Sequence, residues 1–429
     1  MRKIKTLSSL LVAILLTGCT NETYKEVEML SEDTPIEVMI ATDLHYIAPT
    51  LSNDSPALES LMATADGKMT IHSEPIVDAF VDEVLAQSPD ALLIPGDVTF
   101  NGAKESHVAL VEKLSKIEAV GIPVFVIPGN HDIDYSQAAR FDKEGYQKVE
   151  SISTQEFEAL YKELMEERIL ARAPESNSYI ASLREDVWLI GIDTNTEKAR
   201  NRVDDDTLEW VEAQLQVAQA EGIQVIAITH QNVLAHNDQF TKGFMIENAD
   251  ALIDLFKTYG VQLNLSGHMH MQHIEQSGDF YEIATGALAV TPHYYAMLNI
   301  DADNEITYQT YPLDIEAWAN ETGQTEEDLL NFTAYSADYF EQTTRLKLEE
   351  QLLQLNLTAE EVAQMIDFAT EVNRHYFAGT VSDYLKTISD DKTLALWEAQ
   401  EGKLFFATYL QSILADEPRN HNHCVITME

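Results

Sequence analysis

Cysteine is nearly absent from this 429-residue chain, which has only Cys19 and Cys424. Cys19 belongs to an N-terminal motif described below, so no internal disulfide is available and the fold must hold by packing alone. Basic residues are scarce as well: 27 Lys and Arg face 72 Asp and Glu, a formal charge of −45. Such a surface disfavours nucleic-acid polymers and anionic lipid as partners, although a bound metal pair creates a locally positive pocket. Long apolar runs are missing too. The stretch from Leu7 to Leu16 falls short of the roughly 17 to 25 residues that a spanning helix needs. Core material is not lacking, since hydrophobic residues make up 45% of the chain and aromatics 8%, which excludes a wholly disordered chain. The length exceeds the about 100 to 200 residues of one domain, so two are expected.

Residues 1–18 read as a signal peptide. Arg2, Lys3 and Lys5 precede the short apolar stretch, which closes on Leu16-Thr17-Gly18-Cys19. A small-small-Cys ending resembles the bacterial lipobox, in which the cysteine is lipidated and becomes the mature N-terminus. Residues 19–35 then form a polar, acidic tether. The expected location is extracytoplasmic, with a lipoprotein anchored in the cell membrane through Cys19. Cleavage removes three basic residues and no acidic one, leaving the mature chain more acidic still.

From Pro35 to about Leu313, short β-branched runs alternate with amphipathic stretches, the pattern of an α/β domain over 36–312. The runs are Ile36 to Thr42, Ala91 to Pro95, Ile122 to Pro128, Val187 to Ile192, Ile223 to Thr229 and Val261 to Ser266. Helical spacing connects them: Ile76, Val77, Phe80, Val81 and Val84 follow Ser73 and Pro75, which supply a cap and a first-turn proline. Gly121, Gly222 and Gly260 fit left-handed helix stops. Two further strands lead to residue 313, and 313–429 reads as a small all-α domain, with Thr358-Ala-Glu-Glu361 opening one helix as a capping box.

The chemistry sits at the ends of the runs. In open α/β sheets, loops leaving the carboxyl ends of strands converge on one crevice. Here they carry Asp43-Leu44-His45, Gly96-Asp97, Gly129-Asn130-His131-Asp132, His230 and Gly267-His268-Met269-His270. Each motif alone is an ordinary polar strand end. Five in this order supply the mixed carboxylate, imidazole and amide set suited to Zn, Mn or Fe.

Together these blocks resemble the calcineurin-like metallophosphoesterases, whose signature is D-x-H, G-D, G-N-H-[DE], H and G-H-x-H. The resemblance spans residues 43 to 270 and implies two sheets flanked by helices in α-β-β-α layers. It further implies Asp43, His45 and His270 as ligands of one metal ion, Asn130, His230 and His268 as ligands of the other, and Asp97 as the bridge. The cofactors expected are two divalent or trivalent ions, Mn, Fe or Zn. A hydroxide shared by such a pair attacks phosphorus, and the leaving alkoxide needs a proton. His131 is placed to give it as general acid, with Asp132 expected to hold the imidazole tautomer. Substrate contacts are expected from His45, Asn130, His131 and His270.

Subfamily features narrow the substrate. Gly96-Asp97-Val98-Thr99-Phe100-Asn101-Gly102 departs from the G-D-x-V-D-R-G of protein Ser/Thr phosphatases and lacks its arginine. Gly-Asn-His-Asp with Gly-Asp-x-Thr resembles class III cyclic-nucleotide phosphodiesterases, and more closely their bacterial lipoprotein relatives. Those carry an insertion after Asp-Leu-His, here Tyr46 to Ser73 with Asp66-Gly67-Lys68, and a helical C-terminal domain. The reaction expected is hydrolysis of a small phosphodiester, a cyclic nucleotide first. An extracellular 5′-nucleotidase is the near alternative, and a non-catalytic metal-binding surface lipoprotein the alternative of another class. His236, His273 and His293 lie near the site loops in sequence and are candidates to touch substrate. His421, Asn422, His423 and Cys424 are weighed as metal ligands and read instead as a frayed terminus.

Overall fold

The computed structural model of the chain describes residues 7–8, 29–52, 55–65, 67–388 and 392–428. Cys19, nearly all of the signal peptide, the first part of the tether and Asp66 lie outside the described residues. Among the described residues no helix is long and apolar enough to cross a membrane.

Two sheets carry the first two thirds of the chain. One has the strand order His423–Thr427, Glu305–Pro312, Tyr294–Ile300, Ile36–Ile40, Ala91–Pro95 and Val124–Ile127. Its last three members are parallel neighbours and the others antiparallel. The second has the order His273–Ser277, Phe280–Ala284, Leu263–Ser266, Gln224–Thr229, Val187–Ile192, Tyr179–Arg184 and Ile169–Arg172.

Side-chain alternation explains the layering. Successive residues of a strand point to opposite faces. Val187, Leu189, Ile226 and Ile228 therefore share one core with Ile40 and Leu93 of the other sheet. Trp188, Ile190, Val225 and Ala227 face away and pack on Val211, Leu215, Leu252 and Phe256 of the helices Asp205–Glu221 and Ala249–Tyr259. Helices Ser73–Gln87 and Lys104–Glu118 flank the six-stranded sheet through Ile76, Phe80, Leu110 and Leu114. Each such side chain, fully buried, contributes about 1.5 to 3 kcal/mol. Ser73 is not the cap its sequence position predicts, because its hydroxyl accepts the Ile47 N–H at 3.1 Å and fastens the insertion instead.

Beyond residue 313 the described residues are mainly helical through Leu414. Ile315, Ala319, Leu329 and Phe332 join the core that contains Ile76 and Phe80 of the flanking helix, while Leu348, Met365, Val372, Trp397 and Leu410 build a separate one. The capping box at Thr358 and Glu361 is formed, and the Trp397 indole donates to the Met365 carbonyl at 3.0 Å. The region is not all-α, however. Its last segment, His423–Thr427, returns as an edge strand paired with Glu305–Pro312, so the frayed terminus expected from sequence is an ordered sheet edge. Only Ile426 of that strand is buried, which is why no clear hydrophobic alternation marks it.

Arg184 ties the far end of the sandwich together. Its fully buried guanidinium donates to both carboxylate oxygens of Asp186 at 2.6 and 3.1 Å, to the carbonyls of Thr34 and Asp301 at 3.2 and 2.8 Å, and to Asn304. Removing it leaves a set of half-buried acceptors without their shared donor. Arg184→Ala is expected to lower unfolding stability by about 1.5 to 3 kcal/mol, read by thermal denaturation; an unchanged melting temperature contradicts the assignment.

Candidate metal centre

The predicted ligand loops meet. Asp43, His45, Asp97 and His270 place their ligand atoms within 4.8 Å of one another, and so do Asp97, His230 and His268, with Asp97 common to both groups. The two oxygens of Asp97 divide between them. Oδ1 lies 3.3 Å from His230 Nε2, while Oδ2 lies 3.9 Å from His45 Nε2. Asn130 joins the second group, its Oδ1 3.1 Å from His230 Nε2.

These contacts fit cations. Asp43 Oδ2 accepts from the Thr42 hydroxyl and the His268 N–H, both at 2.9 Å, but Oδ1 is buried without a hydrogen-bond partner. That oxygen sits 3.4 Å from His270 Nε2, which is itself 3.0 Å from His45 Nε2. Two imidazole nitrogens converging beside a carboxylate oxygen are the hard and borderline donors that divalent ions take. His230 spends Nδ1 on the Pro95 carbonyl at 2.8 Å, and His268 spends Nε2 on the Gly243 carbonyl at 3.0 Å. Each is thereby fixed in orientation with its other nitrogen turned inward.

Electrostatics set the charge of the donors. Burial pushes Asp43 and Asp97 up, but neighbouring histidines outweigh it and hold both carboxyls below their usual range, Asp97 far below. Burial also holds His45 well down and takes His268 to about 3, so both stay neutral. At His230 burial is outweighed by the charge and hydrogen bond of Asp97, which lift it to about 9.

The backbone is bent to make the meeting possible. Asp43, His45, Asp97, His268 and His270 have φ of 52°, 42°, 47°, 67° and 59°. Non-glycine residues in that left-handed region cost on the order of 1 to 3 kcal/mol each, a strain typical of functional sites. Close approach accounts for the neighbouring glycines. A Cβ at Gly129 would run into Asp97 Oδ1, and one at Gly267 into Thr42 Oγ1.

A family model described as calcineurin-like phosphoesterase matches residues 36–272. The chain belongs to this family. A second model, described as the C-terminal domain of cyclic nucleotide phosphodiesterase, matches residues 314–420. Among characterised sequences the chain is 24% identical over 247 residues to a probable glycerophosphodiester phosphodiesterase GpdQ of Arcobacter nitrofigilis, covering 56% of this chain and 78% of that protein. Similar solved structures include a dimetal phosphatase from Danio rerio, at 12% identity and TM-score 0.46 over 64% of this chain and 95% of that one. Another is a purple acid phosphatase from yellow lupin seeds, at 12% identity and TM-score 0.42 over 67% of this chain and 54% of that one.

Within this calcineurin-like site His131 is tethered at one nitrogen and free to act at the other. Its Nδ1 donates to the Phe100 carbonyl at 2.7 Å, and its Nε2 lies 3.9 Å from Asp97 Oδ2. Asp132 does not hold that ring, contrary to the sequence expectation. Its carboxylate is fully buried and accepts from the backbone N–H groups of Val98, Thr99 and Gly129 and from the Thr99 hydroxyl, at 3.2, 2.9, 2.8 and 2.9 Å. It staples the Asp97 loop to the Asn130 loop, and the Phe100 carbonyl orients the imidazole. No sequence pattern announces a backbone carbonyl in that role.

The other predicted histidines lie elsewhere. His236 and His273 face each other through Nδ1 at 2.9 Å, and His273 Nε2 meets Asp416 Oδ2 at 3.0 Å. The His421 ring stacks on His273 at 4.1 Å. This buried clasp joins the C-terminal segment to the seven-stranded sheet and lines neither cavity at the metal centre. His293 is buried with Nδ1 on the Leu288 carbonyl at 2.9 Å. His423 and Cys424 sit in the edge strand.

One of the two cavities, about 490 Å³, is bounded by Asp97, His131, His268 and His270 on one side. Phe240, Phe244, Phe405 and Tyr409 form an aromatic wall on another. Those four side chains come from a loop after His230 and from the last C-terminal helix, so sequence reasoning had no signal for their meeting.

Two outcomes follow. Gly129→Ala is expected to cost most of the bound metal, measured by elemental analysis after dialysis, while far-ultraviolet circular dichroism is retained. Because cation binding at His230 displaces a proton held up to about pH 9, metal affinity measured by calorimetry rises with pH through neutrality and levels off near 9. A flat profile contradicts this.

Proposed function

We propose that the chain hydrolyses a small phosphodiester, a cyclic nucleotide first, with two divalent cations held by Asp43, His45, Asp97, Asn130, His230, His268 and His270 and with His131 as general acid. The observation that carries this reading is the orientation of His131. Bound at these residues, the cations supply positive charge for the phosphoryl oxygens and make water a competent nucleophile near neutral pH.

The protein's own groups do the rest. Ionised Asp43 and Asp97 supply the negative charge that keeps the cations in place, while burial leaves His45 and His268 neutral. As the scissile P–O bond breaks, the departing alkoxide needs a proton. The Phe100 carbonyl occupies Nδ1 of His131, so a protonated ring presents its transferable proton on Nε2, toward the reacting centre. The neighbouring cavity falls within the usual range of about 300 to 1,000 Å³ for small-ligand sites, and its aromatic wall suits the face of a nucleobase. Similarity to a probable glycerophosphodiester phosphodiesterase and to the C-terminal domain of a cyclic nucleotide phosphodiesterase supports a diester over a monoester.

We also infer that Cys19 is lipidated and that the enzyme works outside the cytoplasm, on the membrane surface, on small phosphoesters and not on nucleic-acid polymers. The basic-then-apolar N-terminus ending in Cys19 and the −45 charge support this. Loss of detergent-phase partitioning in Cys19→Ala is the expected sign of the anchor.

The deciding experiment is a hydrolysis screen of the fragment lacking residues 1–19, loaded with Mn, Fe or Zn, against cyclic nucleotides, 5′-mononucleotides and model diesters. Diesters are expected to turn over, and His131→Ala to lower kcat by about 10²- to 10⁴-fold with metal content unchanged. Turnover of monoesters alone would favour the nucleotidase. An inert, metal-loaded, folded protein would favour the metal-binding lipoprotein.

A further inference from the structure

A second cavity, about 1060 Å³, also reaches His131 and is bounded by Leu61, Ala65, Phe100, Tyr135 and Tyr146. Among the described residues, two line both this space and the aromatic cavity. They are His131 and Lys68.

Lys68 stands on a turn of the insertion that is held from two sides. Its N–H donates to the Ala65 carbonyl at 3.2 Å, and the next N–H, of Met69, donates to the Ala289 carbonyl at 2.8 Å. Gly67 has a φ of 74°, and a Cβ there would stand 2.5 Å from the Phe340 ring and 3.1 Å from Phe340 Cα. Phe340 belongs to the helix Phe332–Leu352 and packs with Ala287 and Val290. The turn is therefore wedged between the C-terminal helical region and the loop after Phe280–Ala284.

We propose that Lys68 grips a non-bridging phosphoryl oxygen of the substrate beside His131, and that Phe340 holds the turn that presents it. The proposal rests on the phosphodiesterase reading above. In a chain with 72 acidic and 27 basic residues, an anionic substrate meets few cations of the protein's own. Lys68 is the basic side chain common to both approaches to the centre. An ammonium is a compact point charge suited to a phosphoryl oxygen. The assignment also gives the insertion and the C-terminal helices one joint task, since neither alone fixes the lysine.

The test uses the metal-loaded full chain in detergent, with bis(p-nitrophenyl) phosphate as substrate and inorganic phosphate as competitor. Loss of a charged hydrogen bond corresponds to roughly a ten- to hundredfold effect. Lys68→Gln is expected to lower kcat/KM and weaken phosphate inhibition by that factor with metal content unchanged, and Lys68→Arg to restore most of both. Phe340→Ala is expected to act in the same direction and Phe340→Leu to recover. The proposal is overturned if Lys68→Gln matches wild type in both readouts. It is also overturned if Lys68→Arg is as impaired as Lys68→Gln while phosphate inhibition stays constant, since a purely structural lysine behaves that way. Should the wild type cleave no diester, the phosphodiesterase reading fails, and phosphate binding to Lys68→Gln by calorimetry still decides the role of the lysine.

Discussion

Two ionised carboxylates, Asp43 and Asp97, are buried side by side at the centre of this protein, and the surrounding architecture answers to that fact. Like charges removed from water cost several kcal/mol unless positive charge and directed donors compensate them. The fold provides histidines on four different loops, leaves Asp43 Oδ1 open toward two of them, and holds five ligand residues in left-handed backbone to do so. The two sheets act as the rigid frame against which that strain is held. The hydrophobic cores on either side are what make the strained loops affordable.

The parts legible in the sequence share a physical character. Central parallel strands are buried on both faces and read as continuous apolar runs, which is why Ala91–Pro95 and Val187–Ile192 were marked to the residue. The ligands were legible because they end those runs. Edge and hairpin strands gave little signal: Ile169–Arg172 and Phe280–Ala284 are short, mixed in polarity and lie near or at a sheet margin. The tautomer support of His131 was misassigned because adjacency in sequence favours Asp132. The side chain at that position turns back into the loop, where three N–H groups otherwise lack partners.

The histidines outside the centre teach the same lesson from the other direction. His236 and His273 lie close in sequence to metal ligands, yet they line neither cavity at the metal centre. Buried near Asp416 and His421, they serve cohesion between the C-terminal segment and the sheet. Residue type alone does not separate a ligand from a clasp.

The edge strand His423–Thr427 has a consequence for how the molecule comes into being. Its partner, Glu305–Pro312, emerges from the ribosome long before it, with the whole helical segment made in between. The sheet margin therefore stays bare during that interval, a template for foreign strands, until the helices have collapsed and brought the closing ribbon home. Closure of that margin thus waits on the last residues of the chain, although the strands that carry the ligand loops are made long before.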